Sequence, residues 1–314
     1  MKLNELEASY SMGFETISFE RSLVVLAGCF DWMARVSEES IQAVVTDPPY
    51  GVKEYDHDQL QKRSEGNGGV WRIPPAFDGN VRSPLPRFTA LNDQGRTRVR
   101  EFFAEWARLL LRVMVPGGHV FLASNAFLSQ IVFNAIADAG FEFRGEIIRL
   151  VRTLRGGDRP KNAEHEFPDV CSLPRGCYEP WGLFRKPLPS GMTVSACLAE
   201  YGTGGLRRKP NGKPFEDVIS SERTPKRERT LANHPSLKPQ SFLRQVVYAS
   251  LPLGTGVVLD PFMGSGSTVA AAEFLGYNAI GLERRREYFE MSRTAVRDLS
   301  ILATTEDQLS FSFV

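Results

Sequence analysis

Between Val257 and Glu283 the chain confines its own folding more tightly than anywhere else. Val257-Val258-Leu259-Asp260 has no polar alternation, as expected of a short strand buried on both faces. A glycine-bearing turn, Gly264-Ser265-Gly266, follows, and Ser267 to Leu275 reads as a helix closed by Gly276. Asn278-Ala279-Ile280-Gly281-Leu282-Glu283 is then a second strand. Strand, helix and strand at this spacing form a βαβ crossover, which places the two strands parallel in a sheet covered by helices. The same rhythm recurs upstream. Ser22–Ala27, Ile41–Thr46, His119–Ala123 and Phe143–Val151 read as strands. Phe30–Val36, Arg98–Val115, Phe127–Ala139, Ser241–Ala249 and Arg286–Leu299 read as helices. Pro116-Gly117-Gly118 is expected to end one helix before the next strand begins. The expected class is α/β with a parallel-rich sheet.

Composition sets the outer bounds. A chain of 314 residues with 42% hydrophobic and 24% charged residues can bury a large core and belongs with ordinary globular proteins. No apolar run reaches the roughly 18 residues that a membrane span needs. The start, Met1-Lys2-Leu3-Asn4-Glu5-Leu6-Glu7, is acidic and amphipathic, unlike a signal peptide. Cys29, Cys171, Cys177 and Cys197 show no C-x-x-C spacing, so no metal is expected, and reduced thiols fit a cytoplasmic protein. A net charge of +1 leaves nucleic acid open as a partner, because local clustering of basic residues decides that question.

The turn after Val257–Asp260 has the makings of a nucleoside site. Asp260-Pro261-Phe262-Met263-Gly264-Ser265-Gly266-Ser267-Thr268 joins strand to helix. Gly264 and Gly266 let a ligand approach the backbone, and the helix start offers N–H groups. Glu283 ends the next strand 17 residues after Gly266, where a carboxylate can accept hydrogen bonds from ribose hydroxyls. Asp260, placed before the glycines, can pair with the positive end of a sulfonium amino acid. The spacing is not that of a dinucleotide-binding G-x-G-x-x-G turn.

A second strand end carries different chemistry. Ile41–Thr46 stops at Asp47-Pro48-Pro49-Tyr50, since two prolines cannot continue a ladder. Open α/β sheets place their sites at the carboxyl ends of strands. An exocyclic amino nitrogen of a base is a poor nucleophile and must be held by hydrogen-bond acceptors. Asp47 supplies a carboxylate, Pro48 a carbonyl without an N–H, Pro49 a rigid turn and Tyr50 a face on which a base removed from its helix can stack.

Asp47-Pro48-Pro49-Tyr50, followed later by His234-Pro235-Ser236-Leu237-Lys238-Pro239 and by Asp260-Pro261-Phe262-Met263-Gly264-Ser265-Gly266, resembles the amino-group DNA methyltransferases in their beta-group motif order. The resemblance implies a Rossmann-like methyltransferase fold: a seven-stranded, mostly parallel sheet with helices on both faces, a permuted motif order and a small target-recognition insertion. It implies S-adenosylmethionine as cofactor and direct methyl transfer to a flipped-out base. Asp47 and the Pro48 carbonyl would then hold the amino group, with Pro49 and Tyr50 completing the catalytic set. Asp260, Pro261, Phe262, Gly264, Ser265, Gly266, Thr268 and Glu283 would line the cofactor, with Lys238 beside it. The family's usual Gly-Asp pair is Gly28-Cys29 here, so Asp31, two positions on, is the candidate for the contact to the cofactor adenine.

The resemblance divides the chain into a catalytic part over 1–186, with a long mobile loop over 51–98, a target-recognition region over 187–233, a cofactor-binding part over 234–300 and a tail over 301–314. Arg207, Arg208, Lys209, Lys213 and Arg227 of the middle region, with Arg155 and Arg159 upstream, are candidate contacts to the phosphates of double-stranded DNA. In the family that the chain resembles, an acid such as Asp47 before Pro-Pro-Tyr goes more often with adenine N6 than with cytosine N4, so the resemblance implies adenine N6, with cytosine N4 as the alternative. A catalytically silent DNA-binding protein on the same fold is the reading from another class, and intact Asp47, Tyr50, Gly264 and Glu283 count against it. A homodimer and a cognate restriction endonuclease are the further partners that the family admits.

Overall fold

The computed structural model describes residues 2–49, 92–151, 159–160 and 162–304. In chain order the elements are α1 (Leu3–Tyr10), β1 (Thr16–Ser18), β2 (Ser22–Leu26), α2 (Cys29–Arg35), β3 (Ile41–Thr46), α3 (Asp93–Val113), β4 (Met114–Ala123), α4 (Ser129–Asp138) and β5 (Glu142–Leu150). They continue with β6 (Tyr178–Arg185), α5 (Val194–Tyr201), β7 (Val218–Ser220), α6 (Lys226–Leu231), α7 (Gln240–Ser250), β8 (Val257–Asp260), α8 (Ser267–Phe274), β9 (Asn278–Glu283) and α9 (Arg286–Ser300). The strands form one nine-stranded sheet in the order β1-β2-β9-β8-β3-β4-β6-β5-β7. β2, β9, β8, β3 and β4 run parallel, whereas β6 is antiparallel to both of its neighbours. The seven strands from β2 to β5 are the expected mostly parallel sheet, and the three-residue strands β1 and β7 lengthen its two edges.

Strand residues alternate between two cores, as a period of two requires. Leu23, Val25, Val44 and Leu259 face one core, with Trp32, Phe103, Trp106 and Ile136 from α2, α3 and α4. Val24, Ala43, Val45 and Val258 face the other, with Phe242, Val246, Val269, Phe289 and Val296 from α7, α8 and α9. Helices therefore cover both faces. Among the described residues, no helix is long and apolar enough to cross a membrane.

Three local expectations change. α3 begins at Asp93 rather than Arg98, because Asn92 caps it by accepting the Gly95 N–H at 2.8 Å. The anticipated loop over 51–98 therefore ends earlier, and its residues 51–91 lie outside those described. Pro116-Gly117-Gly118 does not separate helix from strand; it lies within β4, where the pairing with β3 slips between Ile41 and Ala43. β6 was not expected: Pro180 and Gly182 disguise it, yet it pairs along its length with β5 and also with β4.

The 187–233 segment is tied to this sheet. β7 pairs with β5, and α5 packs Cys197 against the Pro116 turn. The buried carboxylate of Glu228, in α6, accepts the Gln240 N–H at 3.0 Å, where α7 begins.

Candidate active site

Two strand ends meet at the centre of the sheet. β3 and β8 are parallel neighbours, pairing Ala43 with Val258 and Val44 with Leu259. Their carboxyl ends therefore lie side by side, and Thr46 Oγ1 donates to Asp260 Oδ1 at 2.6 Å in a fully buried contact. The Phe262 N–H donates to the same oxygen at 3.1 Å. Burial pushes the Asp260 carboxyl up to about 6; the Thr46 and Thr268 hydroxyls and the Phe262 amide oppose it, and the nearby Asp47 adds to it. The candidate amine-holding strand end and the candidate cofactor strand end thus share one hydrogen-bonded junction.

Asp47 is a member of a chain of charges. Lys238 Nζ donates to Asp47 Oδ2 and lies 3.3 Å from Glu179 Oε1. Arg149 Nη1 donates to Glu179 Oε2 at 3.0 Å, and Trp181 Nε1 lies 3.2 Å from the same oxygen. Arg149 is anchored in turn by Ser221 Oγ at 3.0 Å and the Glu222 carbonyl at 2.8 Å. Burial is the largest single influence on the Lys238 ammonium and would lower its pKa. Asp47 and Glu179 together outweigh it, against opposition from Arg149, and hold the group above the usual lysine value. Lys238 owes its place to α7, which starts two residues later and seats Phe242 on Trp181, ring centroids 5.1 Å apart.

The glycine turn is closed in from two sides. Gly264 (φ +56°) and Gly266 (φ +89°) both need the left-handed region. A side-chain carbon on Gly264 would lie 2.7 Å from His234 Nε2, and one on Gly266 would lie 2.5 Å from Val296. His234 is packed edge-on against Tyr288 at 4.5 Å, and burial, with the charges of Lys238 and Arg285, lowers its pKa to about 4, so the imidazole is neutral. The His-Pro segment thus touches the glycine turn through His234 and Asp47 through Lys238.

Glu283 ends β9 beside Leu26 of β2, is 7% exposed, and accepts the Arg285 N–H at 2.7 Å. Asp31 is exposed in the first turn of α2, where its Oδ2 would lie 3.4 Å from a side-chain carbon on Gly28. Cys29, where the family's acid was expected, is buried and its thiol is pushed up to about 12, chiefly by burial, so it stays neutral. Phe262 is half-buried among the rings of Phe102 and Trp106, at 6.2 and 6.0 Å. A backbone turn stripped of side chains, two buried acids at adjacent strand ends and an aromatic wall are a chemically coherent receptacle for a nucleoside-bearing cofactor with a cationic centre.

The structure gathers Asp47, Pro48, Pro49, Lys238 and the Asp260–Thr268 turn at one end of the sheet, while Tyr50 and Arg155 lie outside the described residues. One basic candidate is displaced. Arg207 packs its guanidinium over Tyr248 at 4.5 Å and donates to the Tyr277 hydroxyl, beside Gly254. That position precedes β8 and β9, at their amino ends, opposite Asp47. Lys209 is paired with Glu216 at 2.6 Å, whereas Arg159, Arg208, Lys213 and Arg227 are exposed. Glu179 and Arg149 were not anticipated. The apolar run Trp181–Phe184 was the available signal for β6, and finding that strand would have drawn attention to Glu179.

The family model described as DNA methylase (N6_N4_Mtase) matches residues 41–294, which takes in β3, the charge chain and the glycine turn. The chain belongs to this family of DNA methyltransferases. Among its relatives are the type II methyltransferases M2.DpnII of Streptococcus pneumoniae, 23% identical over 87% of this chain and 88% of that one, and M.HindIII of Haemophilus influenzae, 23% identical over 82% and 89%. Solved structures with the same fold include the PvuII DNA methyltransferase (cytosine-N4-specific), with a TM-score of 0.55 at 13% identity over 91% of this chain and 88% of that one. The complex of M1.HpyAVI with SAM superimposes with a TM-score of 0.50 at 17% identity over 86% and 97%.

Proposed function

We propose that this chain is a site-specific, type II-like methyltransferase of double-stranded DNA whose target is the N6 amino group of adenine. The observation that carries this reading is the Asp47 carboxylate at the β3 end, joined through Thr46 to the Asp260 turn. S-adenosylmethionine supplies an electrophilic methyl group on a sulfonium. Asp260, Phe262, Gly264, Ser265, Gly266, Thr268 and Glu283 would hold it, with Asp31 at the rim.

Asp47 acts as a hydrogen-bond acceptor for the exocyclic amine. Accepting an N–H from that nitrogen draws its lone pair out of conjugation with the ring and aims it at the methyl carbon. The Pro48 carbonyl is the second acceptor, and the Pro48-Pro49 pair keeps both acceptors on a rigid turn. Tyr50 is the proposed stacking face for the extruded base. The ammonium of Lys238 is ion-paired with Asp47, and a carboxylate in an ion pair is an acceptor only. Arg159, Arg208, Lys213 and Arg227 remain proposed phosphate contacts, as does Arg155, and Lys209 contributes where Glu216 leaves it room.

The test is methyl transfer from labelled S-adenosylmethionine to mixed-sequence duplex DNA, followed by mass spectrometry of the nucleosides. The expected product is N6-methyladenine, and Asp47→Ala should abolish its formation. N4-methylcytosine would move the assignment to the other base of the family. Transfer that survives Asp47→Ala would sink the assigned role of Asp47.

A further inference from the structure

Lys238 lies between two carboxylates of different standing. Asp47 ends β3 at the site, and its Oδ2 is occupied by the ammonium. An incoming base amine draws on the lone pairs of that same carboxylate, whose other oxygen, Oδ1, the ammonium does not hold, so the grip of Lys238 on Oδ2 sets how Asp47 is turned. Glu179 is 3.3 Å from the ammonium, on β6, and is fixed from behind by Arg149 at 3.0 Å and Trp181 at 3.2 Å. Arg149 is itself 6% exposed and stands opposite Glu179 in the register of β5 and β6. The Lys238 side chain is 9% exposed, so little water can take over from a carboxylate that lets the ammonium go. The groups facing Lys238 are then Asp47 from β3, Glu179 from β6, Arg149 from β5, the neutral His234 of its own segment and, behind Asp47, Asp260 from β8.

We propose that Glu179 is a positioning residue for methyl transfer: it gives the Lys238 ammonium a second carboxylate to hold, so that Asp47 can turn its lone pairs to the substrate amine. The proposal rests on the reading of Asp47 as the acceptor of that amine. No bond is made or broken in the exchange. The ammonium keeps all three protons and shifts its strongest hydrogen bond from Asp47 to Glu179. Arg149 and Trp181 set the stiffness of the device, because Glu179 must stay in place while Lys238 moves. With glutamine at 179 the ammonium loses one of its carboxylates and still faces Arg149. It then clings to Asp47 and holds that carboxylate turned from the base.

The experiment is steady-state and single-turnover methylation by Glu179→Gln and Glu179→Asp in the full chain, with S-adenosylmethionine affinity measured by calorimetry and folding by thermal melts. The expected order of kcat is wild type, then Glu179→Asp, then Glu179→Gln, the last about 10- to 100-fold down. Cofactor affinity should stay within about twofold, because Glu179 acts through Lys238, Arg149 and Trp181 rather than through the glycine turn. Wild-type kcat in Glu179→Gln overturns the proposal. So does an Asp variant no better than the Gln variant when both lose cofactor affinity and melting temperature in step, since that is the pattern of a general structural lesion. If Glu179→Gln does not fold, Glu179→Asp decides: a lower kcat at retained cofactor affinity supports the exchange, and an unchanged kcat overturns it. Asp47→Ala run alongside separates the two layers. An active Asp47→Ala removes the underlying reading, whereas a dead Asp47→Ala with a fully active Glu179→Gln removes only the role of Glu179.

Discussion

The hydroxyl of Thr46 donates to the buried carboxylate of Asp260 at 2.6 Å, and through that one contact the strand end bearing Asp47 is locked to the strand end bearing the glycine turn. Thr46 is fully buried and has no other route to water. Thr46→Val preserves shape but removes a donor from a desolvated carboxylate, which should cost about 1–3 kcal/mol. Thermal melts at pH 8 should show the loss. Melts at pH 5, where Asp260 can protonate, should show less of it.

The pH dependence of Asp260 itself runs opposite to that of a salt-bridged acid. Its folded pKa is raised to about 6 from 3.8, so the folded state binds its proton more tightly than the unfolded state does. Stability attributable to this group is therefore present at low pH and falls as pH rises from 3.8 through 6. Asp260→Asn keeps an acceptor for Thr46 and removes the buried charge. It should raise the melting temperature at pH 8 and do little at pH 4, while weakening cofactor binding in calorimetry. A lower melting temperature at pH 8 would contradict this account.

Lys238 carries the same sign at a much higher pH. Its folded pKa is raised, so its contribution to stability is fully present below the unfolded value of 10.5 and fades only as pH rises through the folded one. Lys238→Met leaves Asp47 and Glu179 facing each other across an apolar side chain. Removing one partner of a buried ionic set costs about 3–5 kcal/mol. Denaturant melts at pH 8 would reveal the deficit.

Most of the sheet was legible because its strands are short apolar runs cut off by unmistakable breaks: Pro48 after β3, the glycine turn after β8, Arg284-Arg285-Arg286 after β9. Six of the strands follow from that pattern. β6 does not, because Pro180 and Gly182 interrupt its apolar run, and what makes it a strand is pairing on both sides with β4 and β5. The edge strands β1 and β7 have three residues each and owe their form to a neighbour rather than to their own sequence. The site was legible where a motif is contiguous, at Asp47-Pro48-Pro49 and Asp260–Thr268. Glu179 and Arg149 were not, because their partnership with Lys238 arises from three segments brought together only by folding. The surroundings of Arg207 were hidden for a related reason: its charge is visible in the sequence, but the tyrosines it packs on and bonds lie 41 and 70 residues further on.

The glycines of the cofactor turn should fail in different ways. Alanine at Gly266 would meet Val296, a fully buried core side chain that cannot retreat, at φ +89°. Overpacking and the left-handed backbone together should cost about 1–3 kcal/mol or more in denaturant melts. Alanine at Gly264 would press on the His234 ring instead. His234 belongs to the segment that carries Lys238, so Gly264→Ala should lower both cofactor affinity and kcat.

The basic residues separate by the same logic. Arg207→Ala removes a guanidinium that packs on Tyr248 and bonds Tyr277 at the amino ends of β8 and β9. It should lower the melting temperature while leaving the salt dependence of DNA binding as it is. Lys213 and Arg227 are exposed, and neither forms an ion pair with another of the described residues. Each that contacts the backbone releases about one counterion, so Lys213→Ala and Arg227→Ala should each reduce the slope of log K against log salt by about 1. Fluorescence titrations of a duplex from low to moderate salt would read both effects. A slope that changes with Arg207→Ala and not with Lys213→Ala or Arg227→Ala would place the DNA at the other end of the sheet, where neither Asp47 nor the glycine turn could reach a base.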